Sequence, residues 1–168
     1  ELLLEMLEDP SAKLDLVAVN TVINAYAESM LPDAFDRAYG LARMLERDLN
    51  FIERGLRFDR ITFNSLLKCL AASQRKDAGE QAESILNEME QRHHAGEPGV
   101  KPDVVSFTNA ILACYQAGDP SRSDALTARM SESDTPPNLQ LFSTIQKFWV
   151  SKGGREGAVL SENILAHL

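Results

Sequence analysis

The chain has 168 residues, 44% of them hydrophobic, with a net charge of −8 and a pI near 4.9. That length suits one ordinary domain or about four helix-hairpin units, and no apolar run approaches the roughly 18 residues needed to cross a bilayer. Taken as a whole, the acidic balance argues against nucleic acid as a partner, and two cysteines, Cys69 and Cys114, are too few for a disulfide framework or a zinc site.

Residues 1–9, ELLLEMLED, read as the last turns of a helix that Pro10 and Ser11 end. The chain opens inside this apolar run and closes inside another, as a piece of a longer array does. From 16 to 29, Val19, Val22, Ile23 and Tyr26 recur at helical spacing. Leu31-Pro32-Asp33 breaks the chain, with Pro32 suited to the first turn of the next helix and Asp33 to its positive end. One continuous helix is expected from Asp33 to about Glu53. Phe35, Ala38, Leu41, Met44 or Leu45, Leu49 and Ile52 line its inner face, and Gly55 ends it.

The helix starting at Arg60 carries Phe63, Leu66, Leu67 and Leu70 inward, and a polar break spans Ser73 to Asp77. Gln81 to Gln91 is the partner helix, with Ala82, Ile85, Leu86 and Met89 buried. His93 to Gly99, HHAGEPG, is a loop rich in breakers. From Lys101 a Pro-Asp turn leads into an apolar helix, Val104 to Tyr115. A break at Ala117 to Pro120 and a more polar helix to Met130 follow. The last helix starts at Leu139 with Phe142, Ile145, Phe148 and Trp149 apolar; Gly153-Gly154 separates it from a helix at Ala158 to Leu168. No alternating strand pattern occurs, so the expected fold is all-α. Ala25, Ala71 and Ala113 are small enough to let neighbouring helices approach.

The pieces repeat. Asp15 followed by Val17-Ala18-Val19-Asn20-Thr21 aligns with Asp59 followed by Ile61-Thr62-Phe63-Asn64-Ser65 and with Asp103 followed by Val105-Ser106-Phe107-Thr108-Asn109. A fourth copy begins at Asn138, with Gln140-Leu141-Phe142-Ser143-Thr144. The intervals are 44, 44 and 35 residues. A helix, a turn and a second helix cannot bury an apolar face alone, and periods in this range signal a stacked-helix solenoid. The expected organisation is one repeat domain over 1–168: the end of a truncated unit (1–15), units 16–59, 60–103 and 104–138, and a partial unit 139–168. Charge is unevenly divided among these pieces. The four first-helix segments hold Arg60, Lys68 and Lys147 but only one of the 25 acidic residues, Glu28. The acidity sits on second helices and connectors.

Each conspicuous side chain has a plain structural explanation. Asp15, Asp59 and Asp103 precede helices and can serve as N-caps. Phe63, Phe107 and Phe142 can stack bases, but the same slot holds Val19, which favours core packing. Trp149 reads the same way. Cys69 and Cys114 lie in apolar runs and read as buried thiols. His93 and His94 lack rigid acidic or cysteine partners for a metal. Glu88 and Glu90 read as solvated outward acids. No phosphate loop, zinc-protease motif or nucleophile elbow is present. No catalysis, metal or cofactor is expected.

The recurring Asp-x-[VI]-x-[FV]-[NT] helix start, the K-P-D and P-P-N turns, the N-A-Y and L-A-C-Y helix ends and the L-N-E-M and L-T-A-R-M second-helix ends resemble the pentatricopeptide repeat family over nearly the whole chain. The third unit has that family's usual 35-residue length, and the first two are nine residues longer. The W-x-x-L-G-x-x-Y pattern of tetratricopeptide repeats is not found. The resemblance implies a right-handed α-solenoid of stacked antiparallel hairpins that reads single-stranded RNA, one base per repeat. It assigns base recognition to Asn20 with Asp59, Asn64 with Asp103, Thr108 with Asn138, and Ser143. Val17, Ile61, Val105 and Gln140 would sandwich the bases, and Lys68 and Lys147 would meet phosphates. The first two pairs resemble uracil-preferring pairs and the third an adenine-preferring one. The implied target is a U-U-A-like run, read with the protein N-terminus toward the RNA 5′ end. An organelle location, plastid or mitochondrion, and a role in RNA processing, stability or translation follow from the same likeness. The net charge and irregular unit lengths suit a second expectation: a protein–protein scaffold, such as a structural subunit of an organelle ribosome or other large assembly.

Overall fold

A computed structural model describes residues 15–139 apart from Met30, together with residues 141, 143, 146 and 147. The expected end of a truncated unit at the N-terminus, the role of Gln140, the packing of Phe142 and Trp149 and the final second helix lie outside the described residues.

Among the described residues seven helices follow one another: α1 (Leu16–Glu28), α2 (Ala34–Arg47), α3 (Leu49–Glu53), α4 (Arg60–Ala72), α5 (Ala78–His94), α6 (Val104–Gln116) and α7 (Pro120–Glu132). A further helical stretch begins at Leu139. Among the described residues there is no strand. The helices pack as stacked hairpins. The first helices α1, α4 and α6 lie side by side, and each packs on its own second helix: α1 on α2, α4 on α5, α6 on α7. The second helices also reach across units, α2 onto α4 and α5 onto α6. This is the arrangement of a helical-repeat solenoid.

The apolar faces meet in one continuous core. Val19 and Ile23 of α1, Phe63, Leu66, Leu67 and Leu70 of α4, and Phe107 and Ile111 of α6 are buried against Ala82, Ile85, Leu86 and Met89 of α5 and Leu126 and Met130 of α7. Close approach is achieved by small residues, though not all the expected ones. Ala71 and Ala113 are buried, but Ala25 is exposed. Gly79 also allows a close approach: a Cβ there would stand 3.1 Å from the Cys114 Cα and 3.2 Å from its Sγ, so a methyl would require the Cys114 backbone to shift by a few tenths of an ångström.

The expected continuous helix from Asp33 to Glu53 is instead broken at Asp48. Its backbone is extended (ψ 127°), and its Oδ1 accepts the Asn50 and Phe51 N–H groups at 2.8 and 3.4 Å. The aspartate caps a new helix more favourably than it continues the old one. The break re-aims the following turn. Leu49 and Ile52 are exposed rather than inward, while Phe51 is buried and meets Phe58 edge-on at 5.5 Å, which in turn meets Phe63 at 6.5 Å. Within the preceding helix the inward residue is Leu45; Met44 is exposed.

The second long unit places its extra residues differently. Helix α5 runs on to His94, and Gly96 and Gly99 take positive φ in the connector. Val100 and Pro102 are buried, and the Gly99 carbonyl accepts the Arg60 N–H at 2.8 Å. Both insertions therefore fold back onto the start of α4.

The second-helix layer is cross-linked by ions. Arg43 of α2 donates to Glu46 at 2.8 Å and to Glu88 of α5 at 3.0 Å, and Arg92 of α5 donates to Glu46 at 2.5 Å and also pairs with Glu88. Burial by itself raises the Glu88 pKa, but the Arg43 and Arg92 guanidinium groups outweigh it and hold the carboxyl below its ordinary value. Glu90 accepts from Arg129 of α7, Glu83 pairs with Arg122, and Asp36 accepts from Arg75 at 2.5 Å. Glu88 and Glu90 are thus inter-unit partners, not the solvated outward acids that the sequence suggested.

Candidate nucleic-acid interface

Each first helix begins with an aspartate in extended conformation whose side chain caps the helix. Asp15 accepts the Ala18 N–H at 2.8 Å, Asp59 the Thr62 N–H at 3.0 Å and Asp103 the Ser106 N–H at 3.0 Å. The capping role is therefore real, and it coexists with a second one. The same Oδ1 of Asp59 accepts from Asn20 Nδ2 at 3.3 Å, across the boundary between units. The Thr62 hydroxyl donates to Asn20 Oδ1 at 2.6 Å.

One unit later the arrangement is duplicated. Asn64 Nδ2 donates to Asp103 Oδ1 at 3.3 Å, and the Ser106 hydroxyl donates to Asn64 Oδ1 at 2.6 Å. The two clasps match although the insertions before them differ in structure, because each insertion returns the chain to the same point before the next cap. Every polar group in the clasp is partly or fully buried, so satisfying each one matters.

Beside each clasp stands an exposed aliphatic residue. Val17, Ile61 and Val105 are 71%, 59% and 40% exposed, three residues before Asn20, Asn64 and Thr108. That spacing puts each one on the same helix face, one turn earlier. An amide–carboxylate pair beside a bare aliphatic surface can hydrogen-bond a flat ligand's edge and cover its face.

The third position is built otherwise. Thr108 is buried and donates to the carbonyl of Val104 at 2.6 Å. Asn138 is exposed and caps the following stretch by accepting the Leu141 N–H at 3.1 Å. No hydrogen bond joins Thr108 to Asn138. The position matching Thr62 and Ser106 is Leu141, a buried side chain without a hydroxyl. Ser143 is helical and half-buried.

The cations of this layer face carboxylates. Lys68 pairs with Glu28 of the preceding first helix and lies 3.5 Å from Asn24 Oδ1. Arg60 Nε lies 3.1 Å from Asp103 Oδ2. The Lys68–Glu28 pair is exposed and the Arg60–Asp103 pair partly so, each worth about 0–1 kcal/mol, so an incoming phosphate competes with them readily. Lys147 is exposed. Sequence reading missed Thr62, Ser106 and Arg60 as members of the site. The signal was a hydroxyl three residues after the aspartate in two of the copies, which only the cross-unit geometry makes meaningful.

Other candidates resolve as structure. Phe63 and Phe107 are buried in the core and present no stacking face. Cys69 and Cys114 are buried, and burial pushes both thiols up to about 12, away from nucleophilic use. Among the described residues no group of three or more His, Cys, Asp or Glu could hold a metal ion, and no helix is long and apolar enough to cross a membrane.

No curated protein matches the sequence. A family model described as a pentatricopeptide repeat domain matches residues 93–152, which include the cap of α6, the whole of α6 and α7 and the start of the next unit. Residues 93–152 thus carry a pentatricopeptide repeat pattern within an array of stacked helix hairpins.

Proposed function

We propose that the first-helix layer binds single-stranded RNA, with bases entering beside Asn20–Asp59 and Asn64–Asp103 in a right-handed superhelix. The observation that carries this reading is the duplicated clasp. Two amide–carboxylate pairs of equal geometry stand one unit apart, each next to an exposed aliphatic residue. In each clasp one N–H of the asparagine is engaged and its second is left for a ligand. A base with a carbonyl beside an N–H, as in uracil, suits an amide donor next to a carboxylate acceptor. Val17, Ile61 and Val105 cover the base faces, with Gln140 in the corresponding place of the fourth unit. Lys68, Lys147 and Arg60 attract phosphates weakly, so affinity falls only modestly with salt. Thr108 with Asn138 and Ser143 belong to this reading through their repeat position. An organelle role in RNA processing, stability or translation goes with it.

The test is titration of the chain with single strands of U-U-A and of altered sequence, at fixed ionic strength. Exchanging Asn64 and Thr108 together for other small polar residues should shift base preference. Equal binding to every sequence, before and after, sinks base reading. The acidic second-helix layer favours the other reading, a scaffold for protein subunits; a crosslinking pull-down that recovers protein and no RNA would support it.

A further inference from the structure

Each clasp contains a hydroxyl that the amide–carboxylate pair itself does not require, that of Thr62 and that of Ser106; the Ser106 hydroxyl also completes the capping box of α6, whereas that of Thr62 has no such capping bond. Both side chains are fully buried, and both hydroxyls approach an asparagine oxygen of the preceding unit at 2.6 Å. At the second clasp the Asp103 N–H also donates to Ser106 Oγ at 3.1 Å. That closes a ring in which the hydroxyl accepts from one side and donates to the other. At the junction where Leu141 takes this place, Thr108 and Asn138 are not joined.

A carboxylate alone fixes one end of an amide and leaves its plane free to turn. A hydroxyl donating to the other end fixes the plane. The reversed amide would set its oxygen 3.3 Å from Asp59 Oδ1, acceptor against acceptor, and would exchange the hydroxyl's 2.6 Å bond to the amide oxygen for its longer 3.2 Å contact with Asp59 Oδ1. We propose that Thr62 and Ser106 are positioning residues: they lock Asn20 and Asn64 as N–H donors toward the ligand, and so make these two slots discriminate a carbonyl-bearing base edge from an amine-bearing one. This rests on the RNA reading above, but the clasp itself can be tested without RNA. Neither residue need touch the base. A unit lacking the hydroxyl, as at Leu141, holds its polar residue by other bonds and discriminates less by this route.

The experiment uses the 168-residue chain carrying Thr62→Val with Ser106→Ala, and a rescue form with Thr62→Ser alone. Two quantities are read. The first is the side-chain amide order of Asn20 and Asn64 by NMR in the free protein. The second is the ratio of affinities for a U-U strand and its C-C counterpart. The double variant should show mobile amides and a U/C ratio narrowed by about fivefold, the scale of one hydrogen bond. The Thr62→Ser form should keep both at the parent level, with melting temperature as the control for folding. Amides that stay as ordered as in the parent overturn the positioning role. Mobile amides with an unchanged U/C ratio overturn its part in selectivity. If the parent chain shows no U/C preference, the RNA reading and the selectivity clause fall together, and the amide measurement alone then decides whether the lock exists.

Discussion

The two helix layers use polar groups in opposite ways. In the second-helix layer, Arg43, Arg92, Arg122 and Arg129 are tied to carboxylates, mostly across unit boundaries, so the charges there hold the stack together. In the first-helix layer the recurring polar groups are amides and hydroxyls fastened to one carboxylate per junction, beside aliphatic side chains left in the open. The difference teaches that the net charge of −8 describes mainly the outside of the hairpins. It says little about the layer where a ligand would lie. It also separates two kinds of aliphatic residue on the same helices: those that hold the fold and those that the fold does not need.

That separation gives the largest expected effect. Phe107→Ala removes a fully buried ring between α6 and its neighbours and should cost about 3–5 kcal/mol in denaturant unfolding. Ile61→Ala, on the neighbouring first helix but exposed, should stay within about 0.5 kcal/mol. Comparable losses from both would mean that the exposed positions are structural.

The ion network comes next. Glu88→Gln leaves Arg43 and Arg92 with one carboxylate fewer and should cost roughly 1–2 kcal/mol at neutral pH, less than a fully buried pair because water reaches the site. The sign with pH follows from the lowered Glu88 pKa. Its contribution is fully present above the ordinary carboxyl value of 4.5 and is lost as pH falls through the lower folded value. Urea midpoints of the parent should therefore drop more steeply on acidification than those of Glu88→Gln. Parallel curves contradict the assignment.

The smallest effect belongs to Ser123, whose buried hydroxyl has no hydrogen-bond partner among the described residues. Ser123→Ala should be neutral or stabilising by up to about 1 kcal/mol, because it removes a buried polar group that forms no bond. A clear loss of stability in thermal unfolding would mean that the hydroxyl is bonded.

Much of the architecture was legible because it follows from local pattern. The i, i+3, i+4 spacing of Phe63, Leu66, Leu67 and Leu70 and of Ala82, Ile85, Leu86 and Met89 names the buried faces, and the recurring aspartates mark the helix starts. What was not legible depends on competition or on distance in the chain. Asp48 breaks a helix because its side chain competes for the Asn50 and Phe51 N–H groups, and helical periodicity does not weigh that choice. Glu88 and Glu90 look solvated in sequence, since their arginine partners lie on other helices. For the candidate site, the pairing of Asn20 with Asp59 and Asn64 with Asp103 could be proposed from repeat position. The roles of Thr62 and Ser106 could not, because a hydroxyl near a helix start reads as local capping until a neighbouring unit is set against it. The separation of Thr108 from Asn138 was equally hidden.

The most direct measurement separates capping from reading. Asp59→Asn with Asp103→Asn keeps a good cap at both helix starts but replaces the outward carboxylate with an amide that can also donate. Affinities of the parent and of this variant for U-U and C-C single strands should be compared at one ionic strength. Preference should move away from uracil, which needs an acceptor for its N–H, toward cytosine, whose ring nitrogen accepts, while unfolding midpoints stay close to the parent's. An equal change for both strands, or none, would contradict the claim that these pairs read a base edge.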